Sequence, residues 1–243
     1  MKSKLLISGC VVFALFLLLG WLNAQPPGGD PLVEGFKYLE VASVADAYEQ
    51  LYGETNYMSH DMRPLFTTKF AGPAVTVYMK REENKDGGKA VQGMLDAIDA
   101  SGPGSVYVMV LEDGLDFAGV GGLMATAMKV RGLAGSVVDA SIRDTPQMKK
   151  LQFPIFSRGI VPSTTVSHYR FVGVNIQVKC AGVTVNPNDI IAADEDGVCV
   201  IPRARAAEVL KKAQQLDETE HGMFPLIERL KSVTQAVAKY GRI

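Results

Sequence analysis

The chain has 243 residues, 47% of them hydrophobic and 21% charged, with 25 Lys and Arg against 26 Asp and Glu. That composition excludes the disordered, collagenous and disulfide-scaffold classes and predicts a globular protein of one or two domains. A near-zero net charge offers no footprint for a polyanion, so nucleic acid and anionic lipid surfaces are not expected partners, whereas small polar substrates fit.

Lys2 and Lys4 precede an uncharged stretch from Leu5 to Leu19, and Leu22-Asn23-Ala24 before Gln25 forms a cleavage site. The pattern predicts a signal peptide over 1–24 and an exported protein, periplasmic or secreted. Two alternatives stay open. An uncleaved membrane anchor fits because Leu5 to Leu22 approaches the ~18 apolar residues of a membrane helix. A lipoprotein fits because Ile7-Ser8-Gly9-Cys10 resembles a lipobox. Residues 25–39, opened by Gln25-Pro26-Pro27-Gly28-Gly29-Asp30, read as a linker, and 40–243 read as a single domain with C-terminal helices.

Within that domain Val44 to Tyr52 has helical spacing, with Ser43 as candidate cap and Val44, Ala47, Tyr48 and Leu51 on one face. Gly72-Pro73 signals a turn, after which Ala74 to Met79 alternates as a strand does. Lys80 to Lys89 reads as a solvated loop leading into a helix that carries Val91, Met94, Leu95 and Ile98 on one face. Gly102-Pro103-Gly104 stops that helix, and Val106 to Leu111 is a short apolar run of the buried-strand kind. Leu123 to Val130 is again helical, Gly132 takes the post-helix position, and Ser136 to Val138 begins another β-branched run. Strand, helix, strand predicts a βαβ unit, whose loops at the carboxyl end of the sheet are where ligands of α/β folds bind.

Beyond residue 150 the texture is β. Phe153 to Phe156, Tyr169 to Val178, Gly182 to Val185 and Val198 to Ile201 read as strands, parted by turns at Asn186-Pro187-Asn188-Asp189 and Glu195-Asp196-Gly197. Ala204 to Leu216 and Leu226 to Tyr240 read as two amphipathic helices with Gly222 and Pro225 between them. Cys180 and Cys199 lie in apolar strand-like runs; they pair if their strands are neighbours in an oxidising compartment, and otherwise are buried free thiols. His60, His168 and His221 are far apart, without HExxH or CxxC spacing, so zinc has no support and each reads as a surface or capping residue.

Gly119-Val120-Gly121-Gly122 is not a dinucleotide fingerprint, since the third glycine of GxGxxG falls on Met124; P-loop and GxSxG motifs are absent too. One constellation remains. Gly121-Gly122-Leu123-Met124 opens a helix, so its first backbone N–H groups and the positive end of the helix dipole suit a carboxylate or phosphate. Arg143-Asp144 follows the next strand at its carboxyl end, and βαβ geometry brings the two loops together. Arg143 offers a fork of donors to a carboxylate or enolate oxygen, and Asp144 is a hard oxygen ligand of the kind that holds Mg²⁺. The bland alternative is a surface Arg-Asp dipeptide and a glycine pair that serves only close packing.

These residues resemble a known family. Gly121-Gly122-Leu123-Met124, Gly132-Leu133-Ala134-Gly135-Ser136-Val137-Val138-Asp139 and Ile142-Arg143-Asp144 look like the regulator of ribonuclease activity A family, which includes 4-hydroxy-4-methyl-2-oxoglutarate aldolases. Phe153-Pro154-Ile155-Phe156-Ser157-Arg158-Gly159, Ala193-Asp194-Glu195-Asp196-Gly197-Val198 and Ala71-Gly72-Pro73-Ala74-Val75-Thr76-Val77 extend the similarity over about residues 40 to 220.

The resemblance implies a swivelling-type β/β/α sandwich, homotrimers or homohexamers with sites at subunit interfaces, and a divalent metal, Mg²⁺ or Mn²⁺. It implies cleavage of a small 2-oxo acid to pyruvate, by retro-aldol reaction or by oxaloacetate decarboxylation. By the same resemblance the Leu123 and Met124 amides hold the substrate carboxylate, Arg143 meets the substrate and Asp144 the metal. Two positions depart from the pattern, Gly122 and Gln147, where acidic residues are usual; Glu218 and Glu220 are the candidates for the acidic group that family members take from a neighbouring subunit. A non-catalytic regulatory or small-acid-binding protein of the same fold is the alternative expectation. The methyltransferase name also attached to the family finds no nucleotide cradle in these glycines.

Overall fold

The structure is a computed structural model and describes residues 29–241. The signal, anchor and lipobox readings fall on 1–24, outside the described residues. Among the described residues no helix is long and apolar enough to cross a membrane.

In chain order the strands are β1 (Arg63–Pro64), β2 (Phe70–Arg81), β3 (Val106–Leu111), β4 (Ala118–Val120), β5 (Gly135–Ile142), β6 (Ile155–Ile160), β7 (Tyr169–Val174), β8 (Val178–Cys180), β9 (Val183–Val185), β10 (Ile190–Asp194) and β11 (Gly197–Ile201). The helices are α1 (Pro31–Phe36), α2 (Val41–Tyr52), α3 (Gln92–Ala100), α4 (Gly122–Val130), α5 (Thr145–Leu151), α6 (Ala206–Leu230) and α7 (Val233–Tyr240).

The main sheet runs β1-β6-β5-β3-β2-β10-β11, with β4 added on β5 and β7 on β2; β8 and β9 pair as a separate ribbon. Its centre, β2-β3-β5-β6, is parallel, while β1, β7, β10 and β11 pair antiparallel. Every residue of β3 is buried, as a strand covered on both faces must be. Its alternation sorts the cores. Tyr107, Met109 and Leu111 pack with Met94, Ile98, Met124 and Met128 of α3 and α4. Val106, Val108 and Val110 face the other way, onto the β8–β9 ribbon and Met58 and Met62. A third core joins α1, α2 and α6 to β10 and β11. The expected α/β class with its βαβ unit (β3, α4, β5) and C-terminal helices is what these layers form.

Several local expectations are corrected. Pro31–Phe36, read as linker, is a helix capped by Asp30, which accepts the Leu32 N–H at 3.0 Å, and it buries Val33 and Phe36. α2 begins at Val41, so Ser43 lies inside it and is buried; the Val41 N–H is capped from a distance by Asp194 at 2.9 Å. β2 runs straight through Gly72-Pro73, because that stretch pairs with β10 while the rest pairs with β3. A Cβ at Gly72 would stand 2.2 Å from the Gly104 carbonyl oxygen, so the glycine reports a close backbone approach. The long Tyr169 to Val178 strand is two, β7 and β8.

α6 continues for 25 residues through Gly222 and Pro225, ending at Lys231 with φ 52°. Pro225 and His221, whose carbonyl loses its helical partner, are both exposed residues, and α7 folds back to donate its Tyr240 hydroxyl to the Gly222 carbonyl at 3.1 Å. Cys180 and Cys199 are buried free thiols on β8 and β11, strands of different sheets. Burial pushes the Cys199 thiol up to about 12, with the Asp194 carboxylate adding to the shift.

Candidate functional site

β4 and β5 run parallel with Val120 opposite Ile142, and the Arg143 N–H donates to the Val120 carbonyl at 3.1 Å. The next residues on each chain, Gly121 with Gly122 and Arg143 with Asp144, are thereby side by side at the carboxyl rim. α4 starts at Gly122 with Gly121 as a cap that has no side chain. Asp144 supplies what is missing: its Oδ2 accepts the Gly122 N–H at 2.9 Å. A left-handed backbone at Asp144, φ 58° and ψ 34°, turns the carboxylate away from its own helix α5, where it makes no capping bond, and towards α4. The positive end of α4 favours that negative charge.

Both glycines are packed against this carboxylate. A Cβ at Gly121 would lie 2.9 Å from Asp144 Oδ2 and 3.3 Å from Arg143 Nε; one at Gly122 would lie 3.2 Å from Asp144 Cβ and 3.3 Å from Gln147 Cγ. An acidic side chain at 122 therefore has no room without displacing Asp144 or Gln147. The remaining amides of the first turn, those of Leu123 and Met124, have no acceptor inside the helix.

Arg143 is held in two ways. Its Nη1 donates to the Ser163 carbonyl at 3.1 Å, and its Nε stands 3.7 Å from Asp144 Oδ2. Ser163 is anchored in turn, its hydroxyl donating to the Asp116 carbonyl at 2.8 Å. With its side chain 41% exposed, Arg143 keeps donors facing solvent. Gly121, Leu123, Met124, Arg143 and Asp144 line a cavity of about 390 Å³ together with Met94, Leu95 and Asp99 of α3 and Thr164 to Val166. Of the six residues singled out from the sequence, these five line it, and the sixth, Gly122, is tied to it by the N–H that it donates to Asp144. Ser163, Leu95, Asp99 and Val166 were not singled out; they lie in a loop and on a helix face whose sequence carries no chemical motif.

Two other cavities hold no such convergence. One, of about 530 Å³, is lined by Arg158 and Asp139, but that guanidinium is closed by Asp139 at 2.9 Å and Asp61 at 2.8 Å. The Asp139 carboxylate, bonded to it, holds Arg158 above its ordinary pKa against the opposing effect of burial. The other, of about 680 Å³, lies between Asn56 to His60 and the β9 end of the ribbon. Among the described residues no group of three or more His, Cys, Asp or Glu could hold a metal.

The family model RraA-like, described as Aldolase/RraA, matches residues 41–200. A protein of Halalkalibacterium halodurans provisionally named 4-hydroxy-4-methyl-2-oxoglutarate aldolase is 34% identical over 184 residues, 74% of this chain and 80% of that one. The solved structure of Streptomyces coelicolor RraAS2, titled an unusual member of the RNase ES inhibitor RraA family, superposes with a TM-score of 0.69 at 27% identity, over 82% of this chain and 97% of that one. An uncharacterized Pseudomonas syringae protein superposes with a TM-score of 0.78 at 24% identity, over 89% and 97% of the two chains, and shares the fold.

Proposed function

Because this chain belongs to the RraA-like family, we propose that it is a carbon–carbon lyase that cleaves a small 2-oxo acid and releases pyruvate. The observation that carries this reading is the convergence of the α4 amino terminus, Arg143 and Asp144 on one open cavity.

In this reading the substrate carboxylate sits on the Leu123 and Met124 amides, where helix-terminal N–H groups and the dipole favour an anion. Retro-aldol cleavage breaks the C3–C4 bond, decarboxylation releases carbon dioxide, and both leave an enolate whose negative oxygen must be stabilised. Arg143, fixed by Ser163, aims a charged donor at that oxygen; one such donor is typically worth ~3 kcal/mol of barrier.

The donor set also suits a hydrated divalent cation. Asp144 spends Oδ2 on Gly122, Oδ1 has no hydrogen-bond partner among the described residues, and the Gln147 side chain lies alongside. Mg²⁺ or Mn²⁺ is commonly bound through one or two carboxylates, substrate oxygens and waters. When bound, such a cation acts as a Lewis acid on the 2-oxo group.

Leu123, 90% exposed beside the cavity, is the kind of apolar side chain that a second copy covers, so the proposal includes a homotrimer or homohexamer. It also includes an exported location, on the pattern of residues 1–24. Incubation with a panel of 2-oxo acids, among them oxaloacetate and 4-hydroxy-4-methyl-2-oxoglutarate, with and without Mg²⁺ or Mn²⁺, should give metal-dependent pyruvate. Absence of pyruvate from every member overturns the lyase reading.

A further inference from the structure

Away from its anion cradle the cavity beside α4 is lined mainly by apolar side chains, with Asp99, Thr164 and Thr165 as the polar ones. Met94 and Met124 are buried at 6% and 8% exposure, while Leu95 and Val166, 38% and 37% exposed, stand at its opening. Among the described residues that line it, Arg143 is the one cation, against the carboxylates of Asp99 and Asp144.

A 2-oxo acid anchored at the α4 terminus uses Arg143 at its pyruvyl end. Whatever the substrate carries at the far end then meets methyl and methylene groups on the α3 side, and Asp99. A second carboxylate there loses water without gaining a cation and faces a like charge, whereas an alkyl group replaces water with carbon contacts.

Resting on the reading of this cavity as a 2-oxo acid lyase site, we propose that it selects monocarboxylate 2-oxo acids with an apolar distal group over 2-oxo dicarboxylates. Leu95 and Asp99 set that preference. Its aldol substrates are then of the type of 4-hydroxy-4-methyl-2-oxopentanoate: the C3–C4 bond breaks, its electron pair becomes the enolate, and the 4-hydroxyl proton is lost as the carbonyl forms. After protonation at C3 the products are pyruvate and acetone.

The test compares binding of 2-oxopentanoate and 2-oxoglutarate by titration calorimetry, alongside pyruvate release from the two corresponding aldols. The unbranched monocarboxylate is expected to bind about tenfold tighter or more, the scale of one unpaired charge in a partly dry wall. Leu95→Arg, at a half-exposed position, and Asp99→Lys, at an exposed one, each place a cation opposite the distal group and should narrow or reverse the ratio. Arg143→Ala should weaken both ligands. Equal or tighter binding of 2-oxoglutarate, binding of neither, or a ratio unmoved by both variants overturns the selectivity. Pyruvate release with the dicarboxylate preferred sinks the selectivity and keeps the lyase; the expected binding ratio without turnover does the reverse.

Discussion

Gly121→Ala separates the site from the fold without removing a charged group. Gly121 has φ −122° and ψ −178°, extended backbone that alanine adopts freely. The added Cβ, however, lands 2.9 Å from Asp144 Oδ2 and 3.3 Å from Arg143 Nε. Both side chains must move by a few tenths of an ångström, and the 2.9 Å bond from the Gly122 N–H is stretched or lost. Loss of a helix cap costs ~1 kcal/mol, while removing a glycine from the unfolded chain returns ~0.4–1 kcal/mol. The balance is near zero, so Tm should stay within about 4 °C of the parent. Catalysis has no such offset, because a displaced donor forfeits much of its ~3 kcal/mol, about 100-fold in kcat. Pyruvate release coupled to lactate dehydrogenase, with thermal melting in parallel, reads both quantities. Parent-like turnover at an unchanged Tm would refute the assignment of Arg143 and Asp144 as the reacting pair.

Further outcomes are specific. Arg143→Ala should lower kcat by about 10²–10³ and Arg143→Lys by less than that, with melting little changed because the side chain is 41% exposed; parent-like turnover in Arg143→Ala sinks its role. Chelation of divalent cations should abolish pyruvate release and Mg²⁺ restore it; full activity in excess chelator removes the metal from the proposal. Gly72→Ala places a Cβ 2.2 Å from a backbone oxygen, so its Tm should fall by several degrees, whereas Gly88→Ala, with open space around it, should not change; equal melting refutes the close-approach reading. For Cys199 the folded thiol, pushed up to about 12, keeps its proton where the unfolded thiol, near 9, has lost it. Its contribution is full below about pH 9 and is lost between about 9 and 12, at up to ~1.4 kcal/mol per pH unit. Cys199→Ser, whose side chain does not ionise in this range, should flatten the alkaline decline in urea-unfolding stability, and an unaltered decline counts against it.

The resemblance carried by short motifs, the α/β class and the six residues around Gly121 and Arg143 were legible in one dimension. The reason is local: Gly121 to Met124 opens a helix with evident spacing and Arg143-Asp144 follows the evident apolar run of β5, while the pairing of β5 with β4 brings the two loops together. α5, seven residues with no clear apolar stripe, gave no periodic signal, and neither did the short strands β1 and β4. Gly222 and Pro225 look like breakers, yet α6 runs through them, since exposure and the docking of α7 decide whether a breaker breaks.

Composition and pattern by themselves determined the α/β class, where its buried strands lie, and that an anion cradle and an Arg-Asp pair sit on successive loops. Tertiary structure alone decided how two helices are capped. Asp194 caps α2 from 153 positions away along the chain and Asp144 caps α4 from 22 away, because neither helix has a bonding side chain at its own start. It also decided that the far wall of the cavity is made of α3 and the loop around Thr165, segments that no spacing rule joins. Covalent order encodes which groups are available; only the packing of the sheet and its helices sets which of them share a volume small enough for their charges to act on one molecule.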